Sequence, residues 1–142
     1  MSPSLKNATH QILVHFQQNP FSTEGFSMSI EILSTEFKRV QLLEVSGRVD
    51  STTAGQLGEA LNGTIDAGKS RVVLDLSKVD YMSSAGLREM VSALKRVQGM
   101  PGSGGDVRIA NPSERVREVL ELAGLDEIFK IFPTQVEAVG SF

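Results

Sequence analysis

Residues 75–87 read DLSKVDYMSSAGL, and this stretch decides both the fold and the candidate site. The apolar run at residues 72–74 leads into it and predicts a buried strand. After the two serines, apolar residues recur at helical spacing as far as Leu94. The chain is therefore predicted to pass from a strand into the N-terminus of a helix, with Ser83 and Ser84 at the junction.

A serine pair at a helix N-terminus has two ordinary roles. The first turn of a helix carries free backbone N–H groups and the positive end of the helix dipole. A serine hydroxyl can cap that turn, which contributes roughly 0.5–2 kcal/mol over alanine. It can also accept a phosphate, which the same N–H groups stabilise. Spacing alone favours capping, and the two roles can coexist.

The stretch resembles the signature of STAS domains, D-L-S-x-V-x-[YF]-[ILM]-[DS]-S-[SA]-G-L, in particular that of bacterial anti-sigma factor antagonists. Residues 47–51 (GRVDS) resemble the upstream G-x-[LV]-D segment of the family. Residues 111–113 and 116–122 resemble its last conserved turn and helix. The resemblance covers roughly residues 28–142. It implies an α/β fold, a STAS-type mixed β-sheet of about four to five strands with helices packed on it.

The resemblance also implies a site and partners. The family's phosphorylated serine falls on Ser84, while Ser83 stands where many members have Asp and is the second candidate. The implied partner is an anti-sigma factor with serine kinase activity, which binds the unphosphorylated form and releases the phosphorylated one; a serine phosphatase resets the switch. The expected partner surface around Ser84 consists of Asp50, Ser51, Thr52, Met82, Ser83 and Arg88.

A second function stays open at this point. STAS-like domains also serve as non-catalytic scaffolds in sensory assemblies and as accessory subunits of lipid transporters. Neither alternative requires catalysis by the chain itself.

Composition describes an ordinary globular protein of 142 residues, with 40% apolar and 22% charged residues. This length predicts one domain with its own core. A net charge of −3 gives no indication of a nucleic-acid partner, and the lack of cysteine excludes disulfides and thiolate metal sites. We find no membrane-spanning stretch, signal peptide or cofactor motif, so the expected location is the cytoplasm, without membrane insertion.

The chain divides into a polar extension at residues 1–26, expected to be mobile, and a STAS domain at residues 27–142. Ala8, Ile12, Leu13 and Phe16 of the extension could line one face of a short helix, although so short a helix is marginal. In the domain, strands are predicted at residues 28–33, 40–45, 71–76, 107–110 and 128–131. Helices are predicted from a cap at Asp50 or Ser51, over residues 84–98, from a cap at Asn111, and over residues 134–139.

Residues 63–70 (GTIDAGKS) fit the phosphate-binding pattern G-x-x-x-x-G-K-[ST]. That pattern binds phosphate only where the loop follows a strand and opens a helix. Here the predicted order is reversed, because a helix precedes the segment and Lys69 leads into a strand. Gly68 would then lie at a helix C-terminus, whose negative dipole end repels phosphate. We therefore reject a nucleotide site at this segment.

The rest of the sequence offers no convincing set of catalytic residues. His10 and His15 both lie in the extension, so neither serine has the histidine that a Ser-His-Asp nucleophile needs. Asp50, Asp75 and Asp80 could approach one another at strand ends, but helix capping and strand or turn ends explain them more simply. The sequence thus predicts a protein without enzymatic activity and without a metal site.

Overall fold

The computed structural model of the protein describes residues 10–15 and 29–142. These described residues form six strands, four α-helices and one short 3₁₀ turn. The strands are β1 (His10–His15), β2 (Glu31–Phe37), β3 (Val40–Val49), β4 (Arg71–Met82), β5 (Asp106–Ala110) and β6 (Ile131–Phe132). The helices are α1 (Ala54–Asp66), α2 (Ser84–Gln98), α3 (Glu114–Leu122) and α4 (Gln135–Gly140), and the 3₁₀ turn is Leu125–Glu127.

The strands form one mixed sheet in the order β1-β2-β3-β4-β5-β6. The first two pairings are antiparallel, and the pairings from β3 to β6 are parallel. The α/β fold with a mixed sheet that the resemblance implies is confirmed, and the sheet has one strand more than the four to five expected. In the parallel part, each strand ends at the same edge of the sheet, so the loops that follow β3 and β4 are brought together there.

The first strand, β1, corrects one expectation. The sequence suggested at most a short helical turn around Ile12 and Leu13, whereas His10–His15 pairs with β2 in antiparallel register. A strand partner that lies about twenty residues away in sequence leaves no trace in local periodicity. The other residues of the extension, including Ala8 and Phe16, lie outside the described residues, and the proposed domain boundary stays a prediction.

Two apolar layers cover the two faces of the sheet. On one face, α1, α2 and α3 pack over the larger core cluster, to which β4 contributes Val72, Leu74 and Leu76. On the other face, Val73 belongs to a smaller cluster that is covered by α4 through Ala138. The alternation along β4 follows from the two-residue period of a strand, and it explains why residues 72–74 are apolar without a break.

Helix limits follow the predicted patterns closely. Helix α2 spans the predicted 84–98, and α1 buries the predicted apolar face of Ala54, Leu57, Leu61 and Ile65. Several other limits differ from prediction. The strands β2, β3 and β4 end at Phe37, Val49 and Met82 and not at residues 33, 45 and 76. The N-cap of α3 is Ser113 rather than Asn111, and the last strand is Ile131–Phe132 rather than residues 128–131.

The shift from Asn111 to Ser113 has a physical reason. Asn111 has a φ of 49°, a left-handed conformation that asparagine tolerates, and so it forms a turn ahead of the helix. Ser113 instead accepts a hydrogen bond from the amide of Val116 at 3.3 Å and donates one to the carbonyl of Val79 at 2.6 Å. The serine thereby joins α3 to the end of β4.

Within the described part of the chain, none of the helices combines the length and the hydropathy needed to span a bilayer.

Candidate functional site

The candidate site lies where β3 and β4 end side by side. Val49 and Met82, the last residues of these parallel strands, are register partners. The amide of Ser83 donates a hydrogen bond to the carbonyl of Val49 at 2.8 Å. The loop that begins at Asp50 and the serine pair therefore leave the sheet next to each other, as the sequence predicted.

The two serines have different surroundings. Ser83 is the N-cap of α2, and its hydroxyl oxygen accepts a hydrogen bond from the amide of Gly86 at 3.2 Å. Ser84 is the first helical residue, and its side chain is exposed. Its hydroxyl has no hydrogen bond to any of the residues that the structure describes. Ser83 is thus the structural cap of α2, whereas the side chain of Ser84 is exposed to solvent.

The electrostatics at this helix end favour an anion. No acidic residue lies in the first turn of α2, while Lys95 and Arg96 lie in its last turn. The negative end of the dipole is therefore compensated by side chains and the positive end is not. A phosphate on Ser84 would add about −1.5 to −2 charges at this uncompensated positive end.

The close packing of α2 against the sheet explains why position 86 of the SSAGL segment is glycine. A Cβ on Gly86 would lie 2.5 Å from the sulfur of Met82 and 2.7 Å from a methyl carbon of Val49. Only glycine lets the first turn of α2 approach the ends of β3 and β4 so closely. The serine pair is consequently fixed to the sheet rather than carried by a free loop.

Met82 corrects one predicted site residue. The sequence suggested that it could face a partner, but its side chain is 2% exposed and belongs to the larger core cluster. The closing residue of a strand can point to either side, and here the close approach of Gly86 covers it. Met82 therefore supports the site from the core and does not belong to its exposed surface.

Asp50 organises the neighbouring loop. One carboxylate oxygen accepts hydrogen bonds from the hydroxyl of Thr52 at 2.6 Å and from the amides of Thr52 at 2.9 Å and Thr53 at 3.2 Å. The pKa of Asp50 lies below its ordinary value, chiefly because the Thr52 hydroxyl stabilises the ionised form; the backbone amides add to this, and partial burial opposes it. The predicted cap of α1 at Asp50 or Ser51 is wrong, because the N-cap is Thr53. The Asp50 carboxylate instead closes the turn that leads into the helix.

The second oxygen of Asp50 faces a cation that sequence reasoning missed. It lies 3.4 Å from Nε of Arg48, whose side chain is 61% exposed. The guanidinium of Arg48 stacks on the ring of Tyr81 at 4.0 Å from the ring centre. The available signal was the G-R-V-D segment itself, but only the register of β3 and β4, which pairs Arg48 with Tyr81, brings the stack together.

The remaining predicted surface residues are exposed. Ser51 and Thr52 lie at the tip of the Asp50 loop, and Arg88 follows Ser84 by one helical turn. Ser84 and Arg88 line one open groove together with Leu125 of the 3₁₀ turn. The register of β3 and β4 thus brings two half-exposed or exposed groups to the same end of the sheet. We call these residues, Asp50, Ser51, Thr52, Ser83, Ser84 and Arg88, the switch surface.

The nucleotide-like segment does not form a phosphate loop. Helix α1 extends to Asp66, Gly68 has a φ of 89° in the turn, and β4 begins at Arg71. The ammonium of Lys69 lies 2.6 Å from a carboxylate oxygen of Glu36. The predicted order of helix before strand is therefore confirmed, and Lys69 is engaged by a neighbouring carboxylate.

The three aspartates do not meet. Asp75 is buried within β4, where it accepts hydrogen bonds from the amide of Ser77 at 2.8 Å and from the side chain of Gln135. Asp80 is exposed further along the same strand. Residues 10–15 and 29–142 contain no cluster of three metal-ligating side chains. The two histidines, His10 and His15, are the first and last residues of β1.

Comparison with known proteins agrees with this geometry. Residues 31–138 match the STAS domain family. The protein BtrV of Bordetella bronchiseptica is 36% identical over 98 residues, which are 69% of this chain and 82% of BtrV. The anti-sigma-B factor antagonist of Listeria monocytogenes is 30% identical over 117 residues, which are 81% of this chain and 97% of the relative. The crystal structure of an anti-sigma factor antagonist from Mycobacterium paratuberculosis superposes with a TM-score of 0.69 at 26% identity, covering 79% of this chain and 92% of that one.

The class of fold is defined by a mixed sheet whose third and fourth strands end beside a serine-capped helix. The match over most of the chain identifies the family. The chain belongs to the STAS domain family. The resemblance seen in residues 75–87 is thereby confirmed.

Proposed function

We propose that this chain is an anti-sigma factor antagonist that exchanges partners through phosphorylation of Ser84. The observation that carries the proposal is the exposed Ser84 hydroxyl, free of hydrogen bonds to described residues and placed at the first residue of α2. The names of the relatives support the class of partner, since the Listeria relative is an anti-sigma-B factor antagonist.

In the unphosphorylated state, the switch surface binds the anti-sigma factor and so frees a sigma factor. Binding brings Ser84 to the kinase site of the same anti-sigma factor, which transfers phosphate from ATP to the hydroxyl. A serine phosphatase later removes the phosphate. Because ATP and sigma factors are found in the bacterial cytoplasm, the exchange takes place there.

Phosphorylation acts on the interface rather than on the fold. The hydroxyl of Ser84 has no bond within the described residues to lose, and the helix end stabilises the added charge. The partner, which is complementary to a neutral hydroxyl, must instead desolvate a dianion. A loss of ~3 kcal/mol in binding free energy weakens the complex more than a hundredfold.

The chain acts by binding and has no catalytic role of its own. The kinase, not this protein, supplies the base and the nucleotide. The solvent-facing polar residues of the switch surface, Asp50 with its threonine loop and Arg88, position the partner.

Affinity capture with matched baits tests the proposal. The full chain should retain an ATP-binding serine kinase from a lysate of its host, and a Ser84→Asp bait should retain much less of it. Equal capture of the kinase by both baits would contradict the switch. Capture of a transporter complex in place of a kinase would instead support the scaffold function.

A further inference from the structure

A second site is formed at the opposite end of the sheet from Ser84. A cavity of about 390 Å³ opens between the β2–β3 turn, the first residue of β4, the last turn of α4 and Phe142. Strand β4 runs for 12 residues from Arg71 to Met82. At ~3.3 Å per residue, the cavity lies roughly 36 Å from the switch surface. The two places cannot share one small ligand.

Three cations surround the cavity. Lys38 and Arg39 form the β2–β3 turn, and Arg71 begins β4. Among the described residues, no carboxylate oxygen lies within 4 Å of these three side chains. Glu36, the acidic residue next to the turn, is engaged by Lys69. In a chain of net charge −3, this is a local excess of positive charge that points to an anion.

The turn itself supports a role for the charges. Lys38 has a φ of 55°, in the left-handed region that favours glycine. A turn that served only to connect β2 and β3 would be more stable with glycine at this position.

The floor and the outer wall of the cavity are apolar. Phe37 and Val40 belong to the smaller core cluster, and Val139 and Phe142 pack against it. Helix α4 has 6 residues, and the cavity lies beside its last turn. Such a mixture of an apolar lining and a few convergent charges is typical of small-molecule sites, which measure about 300–1,000 Å³.

Phe142 is held in place as a wall of the cavity. The guanidinium of Arg108 lies 3.9 Å from the centre of the Phe142 ring. Arg108 is fixed in turn by the carboxylate of Asp106 at 2.9 Å and by the hydroxyl of Ser141 at 2.6 Å. The C-terminal ring is therefore positioned by an ordered network.

We propose that this cavity binds a small organic anion with an apolar body, such as an aryl phosphate. Arg39 and Arg71 bind the anionic head, because guanidinium groups match phosphate oxygens in bidentate geometry. The ring of Phe142 packs on the apolar body. The site is independent of the switch surface, so the two assignments can fail separately.

Titration of the full chain with phenyl phosphate, inorganic phosphate and phenol tests the proposal, with binding followed by backbone ¹⁵N–¹H shifts. Phenyl phosphate should bind at least tenfold more tightly than either fragment and should shift residues 37–40, 71 and 139–142. Arg39→Gln should weaken both phosphate-bearing probes. Phe142→Ala should weaken phenyl phosphate alone, and Arg117→Gln, a change at an exposed position of α3, should alter nothing.

Three results would overturn the proposal. The first is equal affinity for phenyl phosphate and inorganic phosphate. The second is undiminished binding of phenyl phosphate by the double variant Arg39→Gln, Arg71→Gln. The third is saturable shifts that appear around Ser84 and not around the cavity.

Discussion

The amide of Ser83 donates a 2.8 Å hydrogen bond to the carbonyl of Val49, which joins the last residue of β3 to the cap of α2. This bond continues the β3–β4 ladder by one step after the strands end. It places the Asp50 loop beside the serine pair and leaves the Ser84 side chain exposed to solvent. A surface built on backbone bonds in this way can bind a partner without rearranging.

Substitutions of the two serines should have different effects, with Ser83 affecting stability and Ser84 affecting regulation. Ser83→Ala removes the N-cap bond to Gly86 and should lower the free energy of unfolding by about 1 kcal/mol. Ser84→Ala removes no hydrogen bond to a described residue, so its stability should stay within about 0.5 kcal/mol of wild type and its affinity for the anti-sigma factor should be unchanged. Urea denaturation and calorimetric titration of both variants measure the two effects. A larger loss of stability in Ser84→Ala than in Ser83→Ala would contradict the assignment of the cap.

The lowered pKa of Asp50 should make the stability of the protein depend on pH in a predictable direction. Because the folded-state pKa of Asp50 is lowered, its contribution to stability is fully present above the unfolded pKa of about 3.9 and is lost as the pH falls through the folded value. Thr52→Val removes the hydroxyl that is the main cause, so the pKa of Asp50 should rise towards its ordinary value. Carbonyl ¹³C shifts followed from pH 6 to 2 measure this pKa. Ser51→Ala, a neighbouring change that removes no bond to Asp50, should leave it where it is.

Truncation of Asp50 itself should affect two properties. Asp50→Ala removes the acceptor of the Thr52 and Thr53 amides and should cost about 0.5–2 kcal/mol of stability as well as partner affinity. Asp50→Asn keeps an oxygen acceptor and should recover most of the stability but not the charge. Stability equal to wild type in Asp50→Ala would show that these hydrogen bonds contribute nothing.

Gly86 should be sensitive to a single added methyl group. Gly86→Ala places its Cβ against Met82 and Val49, so the free energy of unfolding should fall by about 1–3 kcal/mol. Gly63→Ala is the matched control, because Gly63 lies inside α1 with no heavy atom within 4 Å of the added Cβ. That change should stabilise the protein by roughly 0.5–1 kcal/mol. Thermal unfolding of the two variants should therefore move in opposite directions.

Lys69 should have no role in nucleotide binding. Its ion pair with Glu36 is only partly buried, so Lys69→Ala should lower stability by at most about 1 kcal/mol. The isolated chain should show no saturable binding of ATP, and the variant should bind the anti-sigma factor as wild type does. Tight ATP binding that disappears in Lys69→Ala would restore the phosphate-loop interpretation.

Local periodicity was sufficient for the elements that carry the site. The span of α2 and the apolar face of α1 both follow from helical spacing, because each helix covers the sheet with one continuous apolar stripe. The strand–turn–helix order around residues 63–70 was enough to reject a phosphate loop. In each case, the information lies within a few turns of the chain.

The features that were missed depend on contacts between distant residues. The strand β1 depends on pairing with β2, and the Arg48–Tyr81 stack depends on the register of β3 with β4. The burial of Met82 depends on how closely Gly86 approaches it, which no pattern in a single strand reveals. For α3, two good capping residues lie two positions apart. The left-handed conformation of Asn111 and the bond from Ser113 to Val79 select Ser113 as the cap.

Mass spectrometry after incubation of the chain with its cognate anti-sigma factor kinase and ATP tests the central claim most directly. Ser83 is held as the cap of α2, while the hydroxyl of Ser84 is exposed and free of bonds to described residues. We therefore expect one phosphate, located on Ser84, and none on a Ser84→Ala variant treated in parallel. Phosphate on Ser83 with Ser84 unmodified, or a chain that remains unphosphorylated by its bound kinase, would contradict the account.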